Sequence, residues 1–301
     1  MKDARILITG ATSQVGLPVA RELAKSNEVF GLGRLRREHE RKQLESIGVN
    51  PVSADLVTDD FAGLPRNLDY VINFAVVKTG GFDHDLAANA EGVGRLMSRL
   101  AGIRAFLHCS STAVYQADGH RAFKETDPLG DNHRAIFPTY SICKIAAESM
   151  VKFSARQWNI PTTIARLNVP YGDNGGWPAF HLEMILGGMA VDVHADAPSV
   201  YNPIHEDDYM ATIPRLLEVA SVPVTTVNWG GSEEASIEDW CGYIGRLVGV
   251  EAKLHRTEKT VPSVRIDTTR MHELIGPTRV GWKEGIRRMI RARHPEIPLR
   301  E

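Results

Sequence analysis

The chain has 301 residues, enough for one large α/β domain with an appendage or for two smaller domains. It is 43% hydrophobic and 24% charged, which argues against a disordered, collagenous or coiled-coil protein. The 35 Lys and Arg against 37 Asp and Glu leave a net charge of −2, without the basic footprint of a nucleic-acid binder. The three cysteines, Cys109, Cys143 and Cys241, are widely spaced, match no zinc pattern and read as reduced thiols. The opening MKDARILITG is too short in its apolar run for a signal peptide, and no window approaches the ~18 apolar residues of a membrane span. A soluble cytoplasmic protein, with no nucleic-acid or membrane partner, is the expectation.

In chain order, Arg5–Thr9 is a short apolar, β-rich run ending at Gly10 and predicts a buried strand. Gln14–Ser26 has near-helical apolar spacing. Then come a strand at Val29–Gly33, a charged helix at Arg37–Ile47, strands at Pro51–Ala54 and Tyr70–Phe74, and a helix at Leu86–Ala101. A strand at Ala105–Cys109, a helix at Tyr140–Trp158 and a strand at Thr162–Leu167 complete the series. Strands alternating with helices imply a doubly wound parallel sheet, and strands covered on both faces are apolar throughout. Past Arg166 the texture changes. Gly172–Pro178 is turn-rich, and helices follow at Ala179–Gly187, Glu206–Val219, Ile237–Val248 and, basic and amphipathic, Trp282–Arg293. We expect a dinucleotide-binding domain over 1–168, with segments near 203–231 returning to it, and a smaller lobe over 169–301.

The first strand meets the first helix at Thr9-Gly10-Ala11-Thr12-Ser13-Gln14-Val15-Gly16. A tight turn there needs Gly10, and the helix start offers free N–H groups and a positive dipole end to a pyrophosphate. An ordinary strand–turn–helix uses the same residues; the position at the head of a βαβ series favours the nucleotide. The second strand ends Gly31-Leu32-Gly33-Arg34. No acid follows until Glu38, whereas Arg34, Arg36 and Arg37 suit a ribose 2′-phosphate, so NADP is preferred over NAD in this reading. Asp55-Leu56 and Phe74-Ala75-Val76 supply the remaining rim of strand ends, with Val77 beyond them.

Tyr140-Ser-Ile-Cys-Lys144 puts a phenol and an ammonium four residues apart, on one face of a helix. A free phenol, with a pKa of about 10, is a poor acid–base catalyst at neutral pH, and a neighbouring cation favours its ionised form. Upstream, the strand at Ala105 runs into Ser110-Ser111-Thr112, whose hydroxyls stand where they can hydrogen-bond a substrate oxygen.

With these residues in place, the chain resembles an extended short-chain dehydrogenase/reductase of the NAD(P)-dependent epimerase/dehydratase family. The first turn is similar to that superfamily's T-G-x-x-G-x-x-G, with Ser13 at the middle glycine. Further likeness lies in Asp69–Ala75, Asn89, Ser110–Tyr115, Tyr140–Lys144, Arg166–Gly172, Pro203–Asp208, Asn228–Gly231 and Asp267. The resemblance implies a Rossmann-type fold with a C-terminal substrate lobe, a homodimer, and a Ser111/Tyr140/Lys144 triad. Tyr140 would be the general acid–base, Lys144 would hold the ribose hydroxyls, and Ser111 would orient the carbonyl. Gly10, Ser13, Gln14, Val15, Gly16, Arg34, Asp55, Leu56, Phe74, Ala75, Val76, Ser110, Tyr140 and Lys144 would contact the cofactor. Val77, Thr112, Asn168, Trp177 and Tyr201 would line the substrate pocket.

There are departures from that pattern. The Asp-Glu pair with which the family's 4,6-dehydratases eliminate water is replaced by Thr112 and Ala113. Ser199–Pro203 lacks the arginine that pairs with a nucleotide diphosphate, and sequence does not place the substitutes Arg256 and Arg265. Asn168 sits one residue earlier than in nucleotide-sugar enzymes. His205, beside Asp207 and Asp208, reads as packing at a strand end. Hydride transfer between NADP or NAD and a carbonyl or secondary alcohol of a small or sugar-like substrate is therefore expected. The alternatives are a nucleotide-sugar 4-epimerase and a non-catalytic NADP-binding sensor or scaffold.

Overall fold

The computed structural model describes residues 1–58 and 61–300. It divides into two compact units, each discontinuous in sequence. The first is Met1–Ser111, Thr139–Arg166 and Thr212–Val227; the second is Thr112–Pro138, Leu167–Ala211 and Asn228–Glu301.

The first unit is built on one sheet. Its strands are β1 (Arg5–Thr9), β2 (Glu28–Gly33), β3 (Val49–Ser53), β4 (Tyr70–Asn73), β5 (Ala105–Ser111), β6 (Thr162–Leu167) and the strand Thr225–Trp229. They lie in the order Thr225–Trp229, β6, β5, β4, β1, β2, β3. The β1–β2, β2–β3, β1–β4 and β4–β5 pairs are parallel. The chain runs outward from β1 to β3 and then returns to β4 on the other side of β1. That reversal opens a crevice past the strands' C-terminal ends, where doubly wound sheets bind ligands. Helices α1 (Gly16–Ala24), α2 (Glu38–Ser46), α3 (Phe82–Leu86), α4 (Gly92–Met97) and α5 (Tyr140–Gln157) accompany the sheet. Leu7, Val71, Leu96, Phe106, Val151 and Ile164 share one buried core.

Several element bounds differ from their sequence expectation, as at Gly16–Ala24, Glu38–Ser46 and Val49–Ser53, and two of the differences lie at the site end of the sheet. The strand expected to stop at Cys109 continues to Ser111. The single helix expected at Leu86–Ala101 starts at Phe82, ends at Met97 and contains a π-helical turn at Ala87–Glu91. Asn89 accounts for that turn. Its Nδ2 donates to the Asp85 carbonyl at 2.7 Å, the acceptor that its own backbone N–H would use in an α-helix. A side chain competing for a backbone acceptor is a known way to disturb a helix.

The second unit has its own core, which includes Tyr115, Phe123, Tyr171, Leu182, Tyr201, Trp240 and Ile290. The helix Ile237–Val248 has the expected bounds. Ser236 caps it by accepting from the Asp239 N–H at 2.9 Å, and Gly249 ends it at φ +75°. The C-terminal helix Trp282–Arg293 buries Ile286, Met289 and Ile290 and leaves Arg288, Arg291 and Arg293 exposed. Among the described residues, no helix is long and apolar enough to cross a membrane.

Candidate functional site

A cleft of about 500 Å³ lies at the chain reversal of the first unit. Gly10, Thr12 and Ser13 close its floor. The ends of β2 and β3 contribute Leu32–Arg37 and Ala54–Val57, and the end of β4 contributes Phe74–Val77. Gly10 has φ +66°, and a Cβ there would stand 2.9 Å from the Ala75 amide nitrogen. Only glycine lets the first turn lie so close to the end of β4. Ser13 Oγ accepts from the Gly16 N–H at 3.0 Å, which starts α1 beside this floor. A glycine turn, a helix start and three guanidiniums around one cleft fit a phosphate-bearing dinucleotide.

Of the residues expected to meet a cofactor, Gly10, Ser13, Arg34, Asp55, Leu56, Phe74, Ala75 and Val76 line the cleft, as does Val77. Gln14, Val15 and Gly16 form the adjoining turn and helix start without lining it. Arg36 and Arg37 join Arg34 on the rim, with Glu40 a carboxylate that the sequence reading passed over. Glu40 accepts from the Arg37 N–H at 3.2 Å, and Asp55 pairs with Arg36 at 3.4 Å. Arg34 therefore faces a rim whose two carboxylates are already engaged.

Tyr140 opens α5, and Lys144 lies one turn on. The Lys144 ammonium stands 5.9 Å from the Tyr140 ring centre and donates to the Cys109 carbonyl at 2.8 Å. Sequence reading missed Lys78. It follows the cleft residue Val77, and its ammonium lies 5.8 Å from the same ring. Burial, then the charge of Lys144, holds Lys78 below the usual lysine range. Ser110 and Ser111 end β5, both buried. Ser110 donates to Glu148 Oε1 at 2.6 Å, so its hydroxyl is committed to a structural carboxylate. Glu148 is two turns beyond Tyr140 on the same helical face, a spacing that sequence could have revealed.

A polar line crosses the sheet beneath this end. Thr9 Oγ1 donates to Asn73 Oδ1, and Asn73 Nδ2 meets His108 Nδ1 at 2.9 Å. Burial, then Lys144, pushes His108 down to about 3, so its ring is neutral. Burial pushes the Cys109 thiol up to about 11 and Cys241 up to about 12, so neither is a poised nucleophile.

The remaining expected residues lie in the second unit. Asn168 is fully buried and its amide is occupied. Nδ2 donates to Thr112 Oγ1 at 3.1 Å and to the Val264 carbonyl at 2.6 Å, while Oδ1 accepts from the Asn202 N–H at 3.0 Å. Trp177 packs edge-on against Tyr201, whose hydroxyl donates to the Pro262 carbonyl at 2.8 Å. His205 is buried, and its Nδ1 accepts from the Asp207 N–H at 3.2 Å. Arg265 pairs with Glu234 at 3.3 Å, and Arg256 lies exposed on the strand Leu254–Thr257. Among the described residues, no cluster of His, Cys, Asp and Glu is arranged to hold a metal.

A doubly wound Rossmann-type sheet with a cleft at its chain reversal defines the class of protein. Within that class, the chain belongs to the NAD dependent epimerase/dehydratase family, whose model matches residues 6–219. It is 24% identical over 278 residues to the uncharacterized UDP-glucose epimerase YtcB of Bacillus subtilis (strain 168), a match covering 85% of each chain. Similar solved structures include the UDP-glucuronic acid 4-epimerase from Bacillus cereus in complex with UDP-glucuronic acid and NAD. There the TM-score is 0.83 at 19% identity, over 97% of this chain and 99% of that one. Another is DesIV, a dTDP-glucose 4,6-dehydratase from Streptomyces venezuelae with NAD and TYD bound, at TM-score 0.81 and 20% identity over 96% of each chain. At these identities the structural likeness speaks for the fold.

Proposed function

We propose that the chain is an NAD(P)-dependent oxidoreductase, transferring a hydride between the cofactor and a secondary alcohol or carbonyl carbon of a small or sugar-like substrate. The observation that carries this reading is the Tyr140–Lys144 pair, 5.9 Å from ring centre to ammonium, at the end of a sheet whose reversal cleft fits a dinucleotide. The first unit would bind the dinucleotide and the second would carry substrate specificity.

When bound, a nicotinamide cofactor supplies the hydride acceptor and donor. Gly10, Ser13 and the start of α1 would hold its phosphates, and Asp55, Leu56 and Phe74–Val76 would flank its adenine end. Arg34 would recognise a 2′-phosphate, which would make NADP the preferred form, although the Bacillus cereus and Streptomyces venezuelae structures hold NAD. Tyr140 takes the proton from the substrate hydroxyl, or returns it to the carbonyl oxygen, at its phenolic oxygen. Lys144 supports the ionised phenol by its charge and has further N–H groups for ribose hydroxyls. Ser111 hydrogen-bonds the same substrate oxygen; Ser110 is already engaged by Glu148. Thr112 and Ala113 after Ser111 offer no acid or base for eliminating water.

A panel of sugars and secondary alcohols with NADP and NAD, and of carbonyl compounds with the reduced forms, followed at the nicotinamide absorbance band, tests the reading. Turnover abolished in Tyr140→Phe supports it; a protein that binds neither dinucleotide overturns it. A second reading, nucleotide-sugar 4-epimerisation, is favoured by the match to YtcB. Oxidation and re-reduction of one carbon leaves no net absorbance change, so UDP-glucose is incubated with the protein and its epimer sought by chromatography.

A further inference from the structure

Asp85 on α3 is fully buried and does not line the cleft. Its carboxylate is the hub of a strap. Oδ1 accepts from Thr79 Oγ1 at 2.7 Å, and both oxygens accept from the Thr79 N–H, at 3.0 and 2.9 Å. Oδ2 also accepts from the Gly80 N–H at 3.1 Å and from Thr139 Oγ1 at 2.7 Å. Burial alone would raise this carboxyl; the bonds from Thr139 and Thr79 outweigh it and hold it below the usual carboxylate range. One end of the strap is the segment that carries Lys78. The other is Thr139, immediately before Tyr140.

A charged, buried carboxylate is costly unless its acceptor sites are filled. Here they are filled from the Thr79–Gly80 turn on one side and from Thr139, 54 residues beyond Asp85, on the other, and that choice of donors locks the two segments together. We propose that Asp85 is a positioning residue for Tyr140: by tying the Thr79–Gly80 turn to the N-cap of α5, it holds the Lys78 ammonium against the Tyr140 ring as a second cation beside Lys144. The inference rests on the assignment of Tyr140 as the acid–base. The groups on α5 that bear on Lys78 are Lys144, whose charge opposes its own, and the Tyr140 ring; on α3, Asp85 holds the adjoining Thr79–Gly80 turn. The two ammonium groups repel each other, and the fastened segment works against that repulsion.

The test needs no substrate and no turnover, so its outcome is independent of whether the oxidoreductase reading holds. The full-length protein is labelled by reductive ¹³C-methylation of its lysines, and the Lys78 signal, assigned through Lys78→Arg, is titrated by NMR. Thr139→Val removes one strap without changing any charge. We expect the Lys78 titration to move up toward the ordinary lysine range in Thr139→Val, and Thr139→Ser to restore it. Amide exchange at Thr79 and Gly80 should quicken by about ten- to a hundredfold in Thr139→Val, the loss of one hydrogen bond to a charged group. In Asp85→Asn the two explanations have opposite signs. Loss of a negative charge by itself can only lower the Lys78 titration, whereas release of the segment raises it. An unchanged or lowered Lys78 titration in Thr139→Val, or failure of Thr139→Ser to restore it, overturns the proposal, and Thr139→Val decides the question should Asp85→Asn not fold.

Discussion

The hydroxyl of Ser110 donates to Glu148 at 2.6 Å, and the same carboxylate receives Arg166 through Nε at 2.9 Å and Nη2 at 2.8 Å. One buried acid thus joins β5, α5 and β6. Burial alone would raise its carboxyl, but Arg166 and Ser110 hold it below the usual carboxylate range. The pair also commits one of two adjacent serines: Ser110 is spent on the scaffold, and Ser111 is the hydroxyl proposed to meet substrate.

Glu148→Ala strands a buried guanidinium and should destabilise the protein by about 3–5 kcal/mol. Ser110→Ala removes one charge-assisted bond and should cost less, about 1.5–3 kcal/mol. Replacing Glu148 and Arg166 together by Met should cost less than Glu148→Ala alone, because no unpaired charge remains. Denaturant unfolding of the variants checks the order; a double variant weaker than the single one refutes it.

Tyr140→Phe keeps the ring beside Lys78 and Lys144 but removes the proton-transfer group. General acid–base catalysis contributes about 10²–10⁴-fold, so kcat should drop by that factor while dinucleotide affinity stays near wild type. A variant that retains most of its kcat would sink the role assigned to Tyr140.

Arg34 lines the cleft where Glu40 and Asp55 are engaged by other groups. NADPH should bind more tightly than NADH, and Arg34→Ala should erase about ten- to a hundredfold of that preference, the worth of one charge-assisted contact. Fluorescence titration of both reduced cofactors decides it. Equal affinities in the wild type, or tighter NADH, reject the NADP assignment.

Tyr201 and Asn202 lead into Ile204–His205 without a basic residue, and Arg265 is paired with Glu234. A diphosphate lodged there without a cation would carry a large desolvation cost. UDP should therefore bind weakly to the NADP-saturated protein, in which the other nucleotide site is filled. Calorimetry giving micromolar UDP affinity that is lost in Arg256→Ala or Arg265→Ala would promote the epimerase reading instead.

His108 titrates near 3 in the folded protein, because burial and Lys144 oppose its charge, whereas an unfolded histidine takes up a proton near 6.5. Between those values the unfolded chain binds more protons, so stability must fall as pH falls. The slope from this residue is about 1.4 kcal/mol per pH unit below about pH 6.5. His108→Gln removes that component, so the stability gap between wild type and variant should narrow steadily toward about pH 4.5. Parallel stability–pH curves for the two proteins would contradict it.

The sequence by itself determined what depends on neighbours along the chain. Apolar runs made β1, β4, β5 and β6 legible, because strands covered on both faces need no polar alternation. The turn at Gly10 was legible because φ above zero and the close approach of Ala75 admit little else. The shared face of Tyr140 and Lys144 followed from a helical spacing of four. Only the tertiary structure decided what joins distant segments. Asp85 meets Thr139 across 54 residues, Asn73 meets His108 across 35, and Asn168 meets Val264 across 96. Each pairing depends on which strands and loops lie side by side, and a sheet's order and register are properties of the assembled core that no local pattern of residues carries. The π-helical turn at Asn89 has the same origin: the side chain takes the Asp85 carbonyl while its oxygen accepts from Val77, 12 residues away.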